Sequence, residues 1–256
     1  MAKIFKNQRI DSLKGRKLNR YALYILGEVL LIVLGILIAL EIDNRNKLDE
    51  NRKKEIVYLQ SFQEDLRKDI GIIRAQLQNK EALFSQLEMV FSVYPDLQNR
   101  SEEELLEISN QLAPIAGQNI FVCNCSTFDA IQNSSDIQVI TDFRLVQLMF
   151  NYYTHLNLIF AHDDLSNDYI RNVVEPYVYD KLEFRTIDYI AQWYDNDTRK
   201  SSLRLADVYA DYEFENILIG SRDRTETYLE IYKKALRLAE DLYLILEEKI
   251  DASRVN

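Results

Sequence analysis

The chain has 256 residues, a hydrophobic fraction of 47% and a net charge of −10, a balance that favours a folded domain over a disordered one. Only 6 Gly and 3 Pro are present, so long helices can run with few interruptions. The acidic balance argues against nucleic acid as a partner, because its phosphates would be repelled.

The net charge is distributed unevenly along the chain. Residues 1–20 carry seven Lys or Arg and one Asp, residues 21–42 carry two Glu, and the remainder therefore carries −14. The basic residues directly precede an apolar run, which favours an orientation signal over a nucleic-acid-binding arm. We interpret residues 1–20 as a short cytoplasmic leader.

Residues 21–42 form the apolar run and predict a transmembrane helix about 33 Å long. Its twelve residues from Val29 to Leu40 have no polar side chain, which argues against a buried helix of a soluble core. Small residues are missing at the −1 and −3 positions of a cleavage site, which favours an uncleaved signal anchor. Seven Lys or Arg precede the helix and five follow it closely, so we expect the N-terminus inside.

Glu28 is an ionisable residue about two turns inside the predicted membrane helix. Such a residue is costly in hydrocarbon and often functional. Glu28 shares one helix face with Gly35 and Ala39, and the latter two have small-x-x-x-small spacing. Three interpretations stay open: Glu28 reaches water near the headgroups, it belongs to a helix-assembly face, or it relays protons.

Residues 43–94 predict a long stalk helix that continues the membrane helix and stops before Pro95. Its apolar residues recur at steps of three and four, which indicates a heptad-like seam. Lys80 stands at one position that this seam skips. The predicted seam consists of Leu66, Ile70, Ile73 and Leu77.

Residues 96–174 predict several shorter helices and one long one. Ser101 and Glu104 form a capping box for a helix to about Leu112. A two-turn helix is expected from Ser126 or Thr127 to Asn133. Short extended segments are expected at 121–122 and 137–140. A long helix is expected over 142–174, with Thr141 as its N-cap and Pro176 where it ends.

The C-terminal part predicts a short helix at 186–193 and a long one at 223–250. Arg224 lies on the seam face of the long helix, one turn before the apolar residues begin. That seam consists of Tyr228, Ile231, Ala235, Leu238, Leu242 and Ile245. The predicted fold is therefore all-α, with residues 95–256 forming an antiparallel helical bundle outside the cytoplasm.

Cys123 and Cys125 are the only cysteines. An extracytoplasmic domain permits a disulfide between them, and a Cys-x-Cys ring is small and strained. A local bridge or two partly buried thiols is the simplest interpretation, and a redox role or an intermolecular bridge is the alternative. A second Cys pair for zinc is absent from the sequence.

The two histidines, His155 and His162, lie about 10.5 Å apart along one helix, too far to share a metal ion unaided. His162, Asp163 and Asp164 are interpreted as solvated polar residues. The sequence holds no phosphate-binding Gly loop and no recognisable catalytic motif, so we expect no enzyme activity, no cofactor and no metal site.

Two segments resemble a family of uncharacterised single-pass membrane proteins that carry a domain of unknown function and are typical of Bacteroidetes-type bacteria. The first segment, 24–44, contains Gly27-Glu28, Gly35 and Ala39. The second, 126–134, is followed by Tyr152-Tyr153, and it has Ser134-Ser135 where members commonly have Ser-Gly. The resemblance implies a helical inner-membrane protein with a periplasmic C-terminal domain, and it implies no activity.

The sequence favours a non-enzymatic membrane-anchored protein that assembles with itself or with a membrane partner. The surfaces for this role are the membrane face of Glu28, Gly35 and Ala39 and the stalk seam. A periplasmic domain that senses a ligand through a partner is the alternative. A redox enzyme using Cys123 and Cys125 is a third hypothesis.

Overall fold

Helices account for all regular secondary structure in the part of the chain that the structure describes, which confirms the all-α prediction. The structure is a computed structural model. It describes the backbone of residues 2–134, 136–181 and 204–255 and the side chains of 24–134, 136–181 and 204–253. The predicted helix at 186–193 lies outside these ranges.

The described ranges contain α-helices linked or extended by shorter helical turns. The α-helices are α1 (Ala2–Val93), α2 (Glu102–Leu112), α3 (Ser126–Asn133), α4 (Phe143–Tyr169), α5 (Glu175–Lys181), α6 (Leu205–Tyr209) and α7 (Tyr212–Val255). The 3₁₀ helices are Tyr94–Asn99, Ala113–Ala116 and Asp136–Val139, and Ile170–Val174 is a π-helix.

The chain divides into two compact units, Met1–Glu55 and Ile56–Asn256. In the first unit, the described apolar side chains between Tyr24 and Ile42 are all exposed. A window of 18 residues there has a mean hydropathy of 2.7 and no buried residue. Among the described residues, this is the one helix long and apolar enough to cross a membrane, judged by length and composition.

The second unit is a bundle of α4, α7 and the part of α1 that begins at Ile56. Arg74 of α1 pairs with Glu240 of α7 at 2.6 Å, and Glu88 pairs with Arg222, so α1 and α7 run antiparallel. Lys249 of α7 lies 3.0 Å from Asp142, at the start of α4, while the end of α4 lies beside the start of α7. Thus α7 is antiparallel to both neighbours, and α1 and α4 run parallel to each other.

Two apolar clusters form the core of this bundle. One cluster joins α1, α3, α4 and α7 around four tightly buried residues, Phe62, Tyr152, Ile159 and Tyr232. The other joins the end of α1 with α2, α5, α6 and the start of α7. From Ile56 onwards, the predicted stalk is therefore a core helix of the bundle.

The buried stripe of α7 keeps alternating steps of three and four, but its register differs from the prediction. Between Tyr228 and Leu246, the residues at most 2% exposed are Tyr228, Tyr232, Ala235, Ala239, Leu242 and Leu246. The predicted seam was wrong at alternate positions, and Ile245, for example, is 37% exposed. At each of these positions the next residue is also apolar, so apolar spacing alone does not fix the register.

Helix ends follow local capping where the sequence supplies it. The Ser101–Glu104 capping box is present, as predicted, and α3 spans Ser126–Asn133. Asp142, and not Thr141, caps α4, because its carboxylate accepts a hydrogen bond from the Leu145 amide at 3.1 Å. The extended piece expected at 137–140 was wrong, since Asp136–Val139 forms a 3₁₀ helix.

Two helix boundaries differ from the prediction. Helical structure continues past Pro176 into α5, because the π-helix Ile170–Val174 precedes it. The wider π-turn leaves room for the proline ring, which would otherwise meet the carbonyl group of Asn172. Helix α7 begins at Tyr212 rather than at 223, since Gly220 is tolerated inside a helix.

Candidate functional site

Two carboxylates of α1 hold the segment that contains both cysteines. Asp69 accepts hydrogen bonds from the backbone and side-chain amides of Asn124, each at 2.8 Å. Asp65 accepts from the backbone amide and hydroxyl of Thr127, at 3.2 and 2.5 Å, at the start of α3. These bonds fasten the loop and the first turn of α3 onto α1.

The carboxylate of Asp69 is the more deeply placed of the two, at 1% exposure. Its second oxygen accepts a hydrogen bond from the Tyr152 hydroxyl at 2.8 Å. Burial, helped by the neighbouring negative charge of Asp69, raises the pKa of Tyr152 well above its usual value. Three donors thus compensate a buried charge without a salt bridge, an arrangement that is typical of a structural clamp.

Cys123 and Cys125 form a disulfide beside this clamp, with their Cα atoms 5.4 Å apart. Both residues are partly buried and pack against the larger core of α1, α4 and α7. The local-bridge interpretation accounts for this geometry. The redox hypothesis stays a prediction.

A polar pocket lies between α1, α4, α7 and the 3₁₀ helix Ala113–Ala116. It has a volume of about 30 Å³, roughly that of one or two water molecules, and is partly open to solvent. Its polar lining consists of Lys80, Asn119, His162, Ser166, Tyr169, Ser221, Arg224, Thr225 and Tyr228.

Lys80 and Arg224 bring positive charge to the pocket. The Lys80 ammonium nitrogen lies 5.3 Å from the centre of the Tyr228 ring, and burial lowers the pKa of Lys80, partly offset by Asp163. The Arg224 guanidinium stacks 3.6 Å from the centre of the Tyr169 ring and donates to the carbonyl oxygen of Gly220. Within the described ranges, neither cation forms a salt bridge with a carboxylate.

Several polar atoms around the pocket are buried without a hydrogen-bond partner in the described part of the chain. They are Ser221 Oγ, His162 Nδ1, Asn119 Oδ1 and, behind His162, Asp163 Oδ1. Buried polar groups are normally hydrogen-bonded, so this cluster requires an explanation such as a bound water or ligand.

Gly220 allows the close stacking at one wall of the pocket. A Cβ atom at this position would lie 2.5 Å from the Tyr169 hydroxyl oxygen and 3.1 Å from a terminal nitrogen of Arg224. The Tyr169 side chain would have to move to accept it, and the Arg224 guanidinium would have to shift slightly. The π-helix begins directly after Tyr169, and such turns frequently occur at functional sites.

The structure separates the predicted site residues into three groups. Glu28, Gly35 and Ala39 are exposed on α1, and a Cβ atom at Gly35 would meet no atom within 4 Å. The cysteines form the local disulfide. The stalk-seam residues are instead buried against the same chain, so we no longer assign them to a partner: Leu66, Ile70, Ile73 and Leu77.

Both histidines are shielded from solvent, whereas His162 was expected to be solvated with Asp163 and Asp164. His155 is 5% exposed, and its Nε2 donates to the carbonyl oxygen of Ile231 at 2.8 Å. The side chains of His162 and Asp163 are only 11% and 8% exposed, whereas Asp164 is exposed. The solvated interpretation of His162 and Asp163 was therefore wrong.

Sequence reasoning did not identify the pocket, although two of its residues had left a signal. Lys80 interrupts the apolar seam of α1, and Arg224 occupies the seam face of α7 one turn before Tyr228. A basic residue at a core position of each of two long helices indicates that the helices face a polar site. The remaining polar residues have no comparable pattern.

The fold and these features define, over the residues that the structure describes, an all-α protein with one helix long and apolar enough to cross a membrane and a bundle that contains a polar pocket. The chain belongs to the Family of unknown function (DUF6090), which matches residues 28–219. This match confirms the resemblance to a family with a domain of unknown function. No curated protein and no solved structure matches the chain.

Proposed function

We propose that this chain is a single-pass inner-membrane protein with a cytoplasmic N-terminus and a periplasmic helical domain. The basic residues of 1–20 and the exposed apolar run that follows support this orientation. The disulfide between Cys123 and Cys125 is the state that an oxidising compartment maintains. In spheroplasts, an impermeant maleimide should label Glu247→Cys but not Ser12→Cys, and the reverse pattern would contradict the orientation.

The proposed role is non-enzymatic: the protein assembles, with itself or with another membrane protein, through its membrane helix. Glu28 carries this proposal, because it is an ionisable group on an exposed apolar helix. At the centre of a bilayer, such a group costs about 3 kcal/mol unless it is solvated or paired. A neighbouring helix that accepts its hydrogen bond lowers that cost.

Gly35 and Ala39 offer the close approach that such a bond requires. At about 100° per residue, both lie within about 20° of Glu28 around the helix axis. Small residues let two helices approach closely, and interhelical hydrogen bonds then add about 1 kcal/mol. The apolar seam of α1 in the bundle already packs against helices of its own chain. The membrane helix is therefore the surface that we assign to assembly.

The mass of the full-length protein in mild detergent tests this role. We expect wild type to run as a defined oligomer or with a membrane partner, and Glu28→Leu and Gly35→Leu to release monomer. Leu37→Phe is the matched control, because Leu37 lies about 180° from Glu28 and the change adds bulk to the opposite face. An unaccompanied wild-type monomer, or equal assembly of all variants, would refute the proposal.

A further inference from the structure

The polar pocket contains two cationic side chains whose charges no nearby described carboxylate neutralises. Lys80 is held over Tyr228, and Arg224 is held over Tyr169. Residues 43–256 carry a net charge of −14, so carboxylates for pairing are plentiful elsewhere on the domain. Burying unpaired cations costs free energy, which points to a function beyond stability.

The pocket also presents unoccupied hydrogen-bonding groups near these cations. Ser221 is 7% exposed, and its hydroxyl group has no partner among the described residues. The Nδ1 atom of His162 and one terminal atom of the Asn119 amide are similarly unsatisfied. A 180° rotation of that amide would present its NH₂ group instead of its oxygen atom.

Asp163, the carboxylate whose charge acts on Lys80, does not line the pocket. Asp163 Oδ2 accepts a hydrogen bond from the Tyr232 hydroxyl at 2.9 Å, and Oδ1 lies 3.9 Å from His162 Nδ1. No Asp or Glu is among the lining residues that the structure describes. The lining is therefore electropositive in an otherwise acidic domain.

From this geometry, we infer that the pocket binds a small free oxyanion, a phosphate or carboxylate group, between Lys80 and Arg224, with Ser221 as a hydrogen-bond donor. Guanidinium and ammonium groups are the side chains that proteins most often use for such anions. The pocket has a volume of about 30 Å³, so the anionic group that it binds is compact. Binding neutralises the two cations and satisfies the hydroxyl group.

This site lies wholly within Ile56–Asn256 and does not depend on assembly through Glu28, so the two proposals fail separately. A water molecule that fills the same space is the simplest competing occupant. If water is the occupant, both cations stay unneutralised and added phosphate or carboxylate does not bind. An anion-binding experiment distinguishes the two occupants.

The test is calorimetric titration of the full-length protein in mild detergent at neutral pH, with inorganic phosphate and succinate as separate probes in a chloride buffer of constant ionic strength. We expect saturable binding of at least one probe. Lys80→Met and Arg224→Gln should each weaken it by at least about tenfold. The exposed residues Lys234 and Arg237 supply matched controls, Lys234→Met and Arg237→Gln, which should bind as wild type does.

Gly220→Ala separates a built site from a general effect of charge. It keeps every charge but forces the Tyr169 ring, on which Arg224 stacks, to move, so binding should weaken although the net charge is unchanged. Circular dichroism establishes whether each variant is folded. If Arg224→Gln is unfolded, the binding of Lys80→Met alone decides between the outcomes. Absence of binding to wild type, or equal binding by folded Lys80→Met or Gly220→Ala, would overturn the inference.

Discussion

Lys80 holds a charged group in a place where charge is costly. Desolvation by the surrounding side chains lowers its pKa below the ordinary 10.5, even though Asp163 acts in the opposite direction. The ring face of Tyr228, 5.3 Å from the ammonium nitrogen, compensates for part of the lost hydration. An empty pocket therefore destabilises the domain through this residue.

Replacement of Lys80 by methionine should stabilise the ligand-free protein. Methionine fills a similar volume without a desolvated charge, so the free energy of unfolding should rise by about 1 kcal/mol in urea titrations at pH 7 without oxyanions. Lys234→Met, an exposed control, should stay within about 0.5 kcal/mol of wild type. A loss of stability in Lys80→Met would instead assign Lys80 a structural role.

The same substitution has a defined pH dependence. Because the folded-state pKa of Lys80 lies below the unfolded value of 10.5, the unfolded chain binds more protons between these two values. As pH rises through the folded-state pKa, the free energy of unfolding of wild type should therefore approach that of Lys80→Met. The difference between the two proteins should be largest at neutral pH.

At the scale of elements, α3 and the disulfide loop are attached to α1 through Asp65 and Asp69. The backbone of α3 lies close to the 3₁₀ helix that follows it, Asp136–Val139. Of its side chains, Phe128 and Ile131 are buried in the core. The two carboxylates thus provide the directional part of the attachment, and the apolar side chains provide the rest.

Removal of the Asp69 carboxylate should detach this loop. Asp69→Ala leaves the Asn124 amides and the Tyr152 hydroxyl without their acceptor, a loss of about 2–4 kcal/mol in the free energy of urea unfolding. Asp164→Ala, an exposed change on α4, should cost under about 0.5 kcal/mol. Equal stability of the two variants would show that the clamp is dispensable.

Most elements could be predicted from the sequence because their signals are local. The scarcity of Gly and Pro predicted that α1 would be long, and Ser101 with Glu104 predicted the start of α2. The stop at Pro176 was wrong because a π-turn upstream relieves a clash that a proline normally causes. The pocket could not be assembled beforehand, since Lys80, His162 and Arg224 meet only when three helices pack together.

At the scale of the whole bundle, hydrogen bonds from tyrosine to aspartate recur in and near the interior. Four such bonds occur in the described part, with oxygen–oxygen distances of 2.6 to 3.1 Å: Tyr58–Asp136, Tyr152–Asp69, Tyr177–Asp211 and Tyr232–Asp163. A neutral hydroxyl group donates well to a carboxylate, but a tyrosinate would repel it. The bundle therefore depends on protonated tyrosines.

Alkali should consequently unfold the bundle cooperatively. Burial raises the pKa of Tyr94 and of Tyr209 to about 12, and it raises those of Tyr152 and Tyr232 further. These raised pKa values mean that their stabilisation is complete below the unfolded value of 10.0 and is lost as pH rises through the folded values. Helix content and tyrosinate absorbance should therefore change together between pH about 10 and 12.

Exposed tyrosines provide the internal control for this titration. Tyr179 and Tyr212 are 69% and 70% exposed, so their hydroxyl groups lie outside the buried tyrosine–aspartate bonds. Titration of all tyrosines near pH 10 with the helical signal intact would contradict the dependence on protonated hydroxyl groups.

The π-helix has a consequence for local opening of the bundle. Its backbone bonds are less well aligned than those of an α-helix, and Pro176 offers no amide to the turn before it. Amides of Ile170–Val174 should therefore exchange hydrogen with deuterium faster than the central amides of α4, so that one long helical stretch opens in two steps. Because Tyr169 and Ile170 line the polar pocket, slower exchange in this segment would report that the pocket is occupied.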